Sequence, residues 1–454
     1  MMEKNSFREA YEKIEVPNDG VLAAIKAGRE RANQPIHKKN KRIRKVVWST
    51  AAAVTLIVFS SFISPSLSHV MAEVPLIGNV YTAFNDAVGR RLQSQDLITA
   101  LNQTSSFKGV DVTITNAYYD GAVIGVTFSV DGKVRTEEDG KLQGFYEIFD
   151  GSDGISDSKE IVYMEQSEDG YIGHIQLSYP KTALPSETTF PLEFKEIGGK
   201  EGSWRFDVPI DQLPYETVKV DKAIYEKNAG INVRFDSIIK GKASTAINYT
   251  ATFPLEGKHD QVRLEVYDDQ GKEINISTDG IDLETVRENN KIIVKGRSII
   301  PQSLEDNTSY IEVLPKVALS APDQFIKLDE TTPFEVKAGR QDLAVDIEDI
   351  TVKGKSVSFA FQIKNGNNKN QDFSYFSNFA RADITLVKES EKNIYKEPLK
   401  HSVEVTNKDD LTFTSSFDIS TLDDFNLQDY VIRVNMGSLS TNIPVELEKV
   451  RIDL

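Results

Sequence analysis

The sequence predicts a mainly β protein: tandem antiparallel immunoglobulin-like β-sandwiches outside the cell, one transmembrane helix, and a short helical cytoplasmic segment. Three observations predict this architecture. First, a long uncharged stretch follows a run of basic residues. Second, the spacing of hydrophobic residues changes near position 107 from a helical period to a period of two. Third, the sequence after position 107 contains an internal repeat.

The uncharged stretch runs from Val46 to Ile63 and has no charged residue over eighteen positions. As a helix it is about 27 Å long, close to the thickness of a bilayer's hydrocarbon core. A core helix and a cleaved signal peptide are the alternatives, and the 45 residues before the stretch favour a retained transmembrane helix over residues 46–66. The residues predicted to flank the membrane are Lys38, Lys39, Lys41, Arg42, Arg44, Lys45 and Trp48.

The charge distribution agrees with this division. Residues 1–45 contain 12 Lys/Arg and 6 Asp/Glu, a net charge of +6, and the rest of the chain carries −22. Basic residues remain on the cytoplasmic side, so the N-terminus is predicted inside and the C-terminal domains outside the cell membrane. The acidic exterior argues against direct nucleic-acid binding. The chain has no cysteine, so packing alone must hold the exterior domains together.

The cytoplasmic segment, residues 1–45, is predicted to form two short helices that end near Val16-Pro17 and before Pro35. Helices this short are marginal alone, and their apolar stripes have too little chain to pack against. We therefore expect the segment to bind a partner, with a small helical hairpin or a membrane-surface helix as alternatives. The predicted partner-binding residues are Phe7, Tyr11, Ile14, Val16, Pro17, Val21, Leu22 and Ile25.

Residues 67–106 are predicted to form juxtamembrane amphipathic helices, because Val80, Phe84, Val88 and Leu92 recur every four positions and Leu97, Ile98 and Leu101 follow. A break is expected near Gly89 or Ser94. From Phe107 onward the period is two, which is typical of strands.

The strand-rich part contains an internal repeat. Each unit begins with apolar residues at the same relative positions. A polar turn follows, and after it a second run in which apolar and polar residues alternate. The period of 106 and then 127 residues predicts three sandwiches, 107–214, 215–339 and 340–454, with boundaries near Pro214 and Gly339. The change of register between Ile114 and Tyr119 predicts a β-bulge or a strand end between them. The repeated positions are Val112, Ile114, Ala117 and Tyr119; Val218, Val220, Ala223 and Tyr225; and Val345, Ile347, Ile350 and Val352.

No catalytic motif is present in the sequence. The five histidines, His37, His69, His174, His259 and His401, are not spaced as metal-binding pairs, and no nucleophile elbow or phosphate-binding loop occurs. The loop from Asp150 to Asp157 offers oxygen atoms and glycines, but it lacks EF-hand spacing and is typical of a solvated turn. We therefore predict no enzymatic activity, no cofactor and no metal.

At this point the chain resembles a known family. IEVPNDGVLAAIKAG (14–28), the basic run KKNKRIRK (38–45) and SPSLSHVMAEVPLIGNVYTAF (64–84) are similar to bacterial proteins with the domain DUF4179, common in Bacillus and its relatives. Pro17, Leu22 and Ile25 inside and Pro75, Ile77 and Gly78 outside are its most specific positions. The following β units resemble the immunoglobulin-like domain DUF5643. The resemblance covers most of residues 1–335.

The resemblance implies an anti-sigma factor, a negative effector of an extracytoplasmic-function (ECF) sigma factor. The sigma factor would be held by the partner-binding residues named above, without the zinc-binding HxxxCxxC motif of other anti-sigma domains. We expect a single-pass membrane regulator whose ectodomain senses the envelope through a ligand that the sequence does not identify. The alternative is a surface-anchored structural or adhesion protein with stacked spacer domains.

Overall fold

A computed structural model describes residues 80–137, 139–148, 160–178, 187–277, 280–304, 308–365, 371–394, 399–422 and 425–454. These residues belong to one compact unit. Within them the chain is mainly β, with five sheets and four short α-helices. The mainly β prediction is therefore confirmed.

Sheet 1 contains eight antiparallel strands in the order β1-β2-β3-β6-β5-β4-β7-β8. The strands are β1 (Thr99–Phe107), β2 (Val110–Asp120), β3 (Val123–Gly132), β4 (Leu142–Ile148), β5 (Glu160–Ser167), β6 (Gly170–Ser178), β7 (Glu187–Ile197) and β8 (Lys200–Asp211). The last strand returns to the first two, because the Trp204 indole N–H donates to the Val110 carbonyl (2.9 Å) and the Phe107 ring lies 5.7 Å from the Trp204 ring.

One apolar core lies inside this curled sheet. Alternate residues of β2 and β8 point into it, as the fully buried Val112, Ile114, Trp204 and Val208 illustrate. The first repeat unit is thus one continuous hydrogen-bonded sheet rather than the predicted pair of facing sheets. A two-residue period places side chains on two faces, but it does not specify how a sheet bends.

Two short helices, α1 (Val80–Ala83) and α2 (Ala87–Gln93), precede sheet 1 and together form what we call the helical cap. The chain breaks between them at Asn85 and Asp86, whereas Gly89 lies inside α2. The predicted helical region is also too long, because β1 already begins at Thr99. Leu97, Ile98 and Leu101 continue the apolar spacing by chance, and their pattern does not distinguish a helix end from a strand start.

Sheets 2 and 3 share one apolar core and form the second unit. Sheet 2 has the order β14-β15-β11-β10-β9, and sheet 3 contains β13, β12 and β16. Their strands are β9 (Glu216–Glu226), β10 (Ile231–Lys240), β11 (Thr245–Pro254), β12 (Gln261–Tyr267), β13 (Glu273–Ile274), β14 (Ile281–Glu288), β15 (Lys291–Ile300) and β16 (Tyr310–Ala318).

Sheets 4 and 5 form the third unit with helices α3 (Phe373–Ala382) and α4 (Met436–Asn442). Sheet 4 has the order β17-β24-β21, and sheet 5 has the order β18-β19-β20-β23-β22. Their strands are β17 (Gln324–Lys327), β18 (Phe334–Lys337), β19 (Ala344–Lys353), β20 (Ser356–Lys364), β21 (Ile384–Lys388), β22 (His401–Asn407), β23 (Thr412–Asp418) and β24 (Tyr430–Val434).

The chain's last two strands, β25 (Val445–Glu446) and β26 (Val450–Asp453), return to sheet 3 and pair with β16. Conversely, β18, which was expected to close the second unit, pairs with β19 in the third. The third unit is therefore an insertion into the second, and its predicted limits of 340 and 454 are wrong. Strand spacing does not specify which sheet edge a terminal strand joins.

The predicted bulge between Ile114 and Tyr119 is confirmed, and two further strands contain a similar irregularity. In β2 the register shifts between Ile114 and Asn116. The same repeat position carries a register shift in β9 and in β19, where Asp221 and Asp349 have φ of 50° and 49°. Aspartate tolerates this left-handed conformation better than most residues.

The predicted transmembrane helix requires a correction to the fold class. In the part of the chain that the structure describes, no helix is both long enough and apolar enough to span a bilayer. Residues 46–66, to which the span was assigned, lie outside the described residues, as do the cytoplasmic helices. A single membrane-spanning helix is therefore not part of the fold class that the structure supports.

Candidate functional site

All fifteen predicted site residues lie between positions 7 and 48, outside the described residues, and they stay predictions. The calcium-loop candidate from Asp150 to Asp157 also lies outside. Among the described residues, no cluster of three or more His, Cys, Asp or Glu side chains is arranged to hold a metal ion. The most unusual chemistry in the described part is a buried polar cluster beneath the helical cap.

The centre of this cluster is the carboxylate of Asp86, whose side chain is 1% exposed. Asp86 is the N-cap of α2, and its Oδ1 accepts a hydrogen bond from the Gly89 backbone N–H at 2.9 Å. Aspartate suits this position because it satisfies a backbone donor left free at a helix start and because the helix dipole favours a negative charge there. The local sequence thus explains why a carboxylate is at this position.

Sheet 1 supplies the other partners of this carboxylate. The Tyr118 hydroxyl of β2 donates to Asp86 Oδ2 at 2.8 Å, and the Gln176 amide of β6 donates to Oδ1 at 2.9 Å. The His174 Nε2 lies 3.1 Å from Oδ2, and the His174 side chain is 5% exposed. We call Asp86, Tyr118, His174 and Gln176 the Asp86 cluster.

The register of sheet 1 explains why these residues meet. Tyr118 of β2 is opposite Gly125 of β3, which is opposite Gln176 of β6, so the three form one row across the sheet. A Cβ at Gly125 would overlap the Tyr118 ring, so glycine leaves the space in which that ring lies. His174 belongs to the adjacent row with Thr127. The helical cap covers both rows.

The electrostatics favour an ionised Asp86. Burial alone would raise its pKa, but the hydrogen bond and charge of His174, together with the bonds from Gly89 and Tyr118, hold the pKa below its ordinary value. Burial, followed by the nearby Asp86 charge, raises the pKa of the Tyr118 hydroxyl, so Tyr118 remains a donor. The cluster therefore stabilises a negative charge under the cap.

Apolar contacts connect the helical cap to the second unit. Val88 and Leu92 of α2 share one buried cluster with Val123 of sheet 1 and with Ala246 and Ile299 of sheet 2. The Tyr81 ring of α1 lies 5.8 Å from the His174 ring and packs edge-on. The cap thus contacts the place where sheets 1 and 2 meet.

A second buried carboxylate holds that meeting place together. Asp120, at the end of β2, is fully buried and accepts hydrogen bonds from the backbone N–H groups of Lys242 (2.6 Å) and Ala243 (2.9 Å) and from the Ser244 hydroxyl (2.8 Å). A Cβ at Gly241 would come within 2.6 Å of this carboxylate. We call Asp120, Lys242, Ala243 and Ser244 the Asp120 junction.

Sequence reasoning missed both carboxylates. His174 was one of five unremarkable histidines, and Asp86 lay in a stretch judged only by its apolar spacing. The one available signal was the Asp86-Ala-Val-Gly89 sequence, in which an aspartate precedes an apolar helical turn and can act as an N-cap. Nothing in the sequence links position 86 to positions 118, 174 and 176.

Comparison with known proteins gives two family matches. Residues 38–132 match DUF4179, a domain of unknown function, and residues 215–348 match DUF5643, a family of unknown function. The resemblance to both families is confirmed. The first match includes Asp86 and Tyr118 of the Asp86 cluster, and it leaves out residues 1–37, which contain the predicted partner-binding positions.

Solved structures give only distant likenesses. A conserved domain protein from Bacillus anthracis is 19% identical, with a TM-score of 0.40, over 52% of this chain and 84% of that chain. The Dpr2 Ig1-Ig2 complex with DIP-Theta Ig1-Ig3 is 8% identical, with a TM-score of 0.14, over 48% of this chain and 95% of that chain. No curated protein matches this chain.

Proposed function

We propose that this protein is a transcription regulator that holds an ECF-type sigma factor through residues 1–34. The β units would sense a signal from the envelope, and the helical cap would pass their state to that N-terminal segment. The partner comes from the resemblance, and the binding role comes from the apolar stripes that the sequence predicts for the segment. The location at the cell membrane, with residues 1–45 in the cytoplasm, stays a prediction.

The observation that supports this proposal most is the Asp86 cluster. The helical cap is the described element nearest in sequence to the N-terminal segment, and it is held to sheet 1 by three side-chain contacts to one buried carboxylate. It also shares an apolar cluster with sheet 2. A change in the contact between the first two units would therefore also change the contacts of the helical cap, which directly follows residues 1–79 in the sequence.

The test is co-precipitation of the full-length protein with sigma factors from its own cells. We expect Leu22→Glu with Ile25→Glu to abolish recovery of an ECF sigma factor, because two charges interrupt the predicted apolar stripe. The matched control is Ala23→Glu with Ala27→Glu, which adds the same charges on the opposite side of the predicted helix. Recovery of no sigma factor by the unmodified protein would refute the proposal.

The second candidate function is a surface-anchored structural or adhesion protein. The buried Asp120 junction favours it, because a fixed connection between units suits a spacer. This candidate predicts that replacing residues 1–34 with an unrelated tail leaves transcription unchanged and preserves surface display. Reporter transcription in such a strain distinguishes the two functions.

A further inference from the structure

The outer edge of β16 is covered by the last ten residues of the chain. Val445 and Glu446 of β25 pair with Val317 and Lys316, and β26 continues the pairing from Val313↔Val450 to Tyr310↔Asp453. The Leu447 N–H donates to the Pro315 carbonyl at 2.9 Å, and the Leu454 N–H donates to the Ser309 carbonyl at 3.1 Å. We call residues 445–454 the C-terminal segment.

The apolar side chains of this segment complete the core of the second unit. Ile452 is 1% exposed and Leu447 is 6% exposed, and both belong to the apolar cluster that fills the space between sheets 2 and 3. Without the segment, the edge of β16 and part of this core would face water. Unpaired strand edges of this kind readily accept another extended chain.

Basic side chains hold the other face of the segment. The Arg451 guanidinium lies 3.6 Å above the Tyr310 ring, and the Lys449 ammonium lies 4.3 Å above the Tyr267 ring. Lys449 also lies 3.3 Å from a Glu312 carboxylate oxygen. The segment thus places apolar residues on one face and, over the Tyr310 and Tyr267 rings, two cations on the other.

The inserted unit, residues 319–444, separates β16 from the segment that covers it. Asp260, whose side chain is 0% exposed, holds the root of this insertion. Arg340 forms a bidentate ion pair with its carboxylate (2.7 and 2.6 Å), and the Ser320 N–H and hydroxyl donate to the same carboxylate at 2.9 and 3.1 Å. The Gln341 amide donates to the Ile443 carbonyl at 2.6 Å, directly before the C-terminal segment.

We propose that the outer edge of β16 is a strand-binding site, which the C-terminal segment occupies within the same chain. The inserted unit controls this occupancy through the Asp260–Arg340 ion pair, because that pair fixes where the segment re-enters sheet 3. The site takes an extended peptide that has apolar residues at alternate positions of each strand and charged residues between them, with cations over the Tyr267 and Tyr310 rings. This inference does not depend on the proposed function.

The first experiment removes residues 445–454 and measures amide hydrogen exchange by mass spectrometry. We expect exchange in β16 and β12 to accelerate roughly 100-fold or more, because two buried side chains and the edge hydrogen bonds are lost. Adding a synthetic peptide of residues 444–454 restores protection, whereas a scrambled peptide of the same composition does not. Equal effects of the two peptides would refute the strand-binding site.

Point variants cover the case in which the truncated chain does not fold. Ile452→Val removes one buried methylene and should accelerate exchange at the β16 edge roughly 3- to 10-fold. The matched control is Ile161→Val, because it removes the same methylene from a side chain of sheet 1 that is 49% exposed and should leave exchange at the β16 edge unchanged. Unchanged exchange in Ile452→Val would also refute the site.

Control by the inserted unit is tested with Arg340→Met. Arg340 lies in the third unit, outside the C-terminal segment. If the root of the insertion positions that segment, Arg340→Met should accelerate exchange in β25, β26 and β16. The control is Lys337→Met, since the Lys337 side chain is 70% exposed. If Arg340→Met leaves β16 protection unchanged, the control by the inserted unit is refuted.

Discussion

Asp86 shows how one residue determines the position of a helix pair. A carboxylate with 1% exposure is stable only when its oxygens have polar partners. Asp86 accepts hydrogen bonds from one backbone N–H and two side chains, and His174 Nε2 lies 3.1 Å from Oδ2. If the carboxylate is removed, the Tyr118 hydroxyl and the Gln176 amide lose an acceptor in a buried site. The contact of the helical cap with sheet 1 is therefore polar and specific, as well as apolar.

We expect Asp86→Asn to lower the free energy of unfolding by about 2–4 kcal/mol at pH 7, because a buried charged acceptor is lost. Chemical denaturation measures the change. The pKa of Asp86 is lowered in the folded state, so its contribution is fully present above the unfolded carboxyl pKa of about 4 and is lost as the pH falls through the folded value. The difference between the two proteins should thus narrow as the pH falls below about 4.

The control for this prediction is Asp111→Asn, an exposed aspartate on β2, which should change stability by less than about 0.5 kcal/mol. A difference between Asp86→Asn and the unmodified protein that widens below pH 4 would contradict the sign of the pKa shift. Denaturation curves at several pH values decide between these outcomes.

At the scale of the element, α2 is seven residues long, and its own side chains determine where it begins and how it packs. Asp86 caps its start, and Val88 and Leu92 are buried on the face toward the sheets. A helix this short is not stable alone, so packing holds it. Gly89 allows the close approach of Tyr81 that this packing requires.

We expect Gly89→Ala to destabilise the protein, although alanine favours helices over glycine by about 1 kcal/mol. The added Cβ would overlap the Tyr81 ring and the Asp86 carboxylate, so the cost of overpacking, about 1–3 kcal/mol or more, should exceed the gain in propensity. Urea denaturation measures the net effect. Gln93→Ala, at the end of the same helix, is the control and should be neutral or slightly stabilising.

At the scale of the whole molecule, buried carboxylates connect the units. Asp120 joins sheets 1 and 2, and Asp260 joins the second unit to the insertion. Each carboxylate belongs to one unit and accepts hydrogen bonds from groups of the next. If one unit unfolded alone, the buried groups of its neighbour would lose their hydrogen-bond partners at a large cost in free energy. The described units should therefore unfold together.

We therefore expect Asp120→Ala to separate the unfolding of sheet 1 from that of sheets 2 and 3. Two backbone N–H groups and the Ser244 hydroxyl lose their acceptor, at about 1–3 kcal/mol for each buried donor left unpaired. Differential scanning calorimetry should show one transition for the unmodified protein and two for the variant. A single transition at a lower temperature would contradict the role of Asp120 in coupling the units.

Much of the local structure is predictable from the sequence. The repeat at Val112, Val218 and Val345 marks strands β2, β9 and β19, and the change of register after Ile114 predicts the bulge in β2. The equivalent Tyr119 and Tyr225 differ, however, because Tyr119 is 1% exposed and Tyr225 is 64% exposed. Tyr119 belongs to the apolar core of sheet 1, so the packing within each unit determines which repeated side chain is buried.

The sequence by itself determined the mainly β character, the hairpins with their bulges and the resemblance to two families. The alternation of apolar and polar residues, the turn residues and the change of register are local properties. They depend on residues that are close together in the sequence, so the sequence alone reveals them. The tertiary structure alone decided the closing of sheet 1, the return of the C-terminal segment to β16 and the meeting of Asp86 with Tyr118, His174 and Gln176. These features join residues up to about 140 positions apart, and no local pattern encodes which distant strand edge or donor will be the partner.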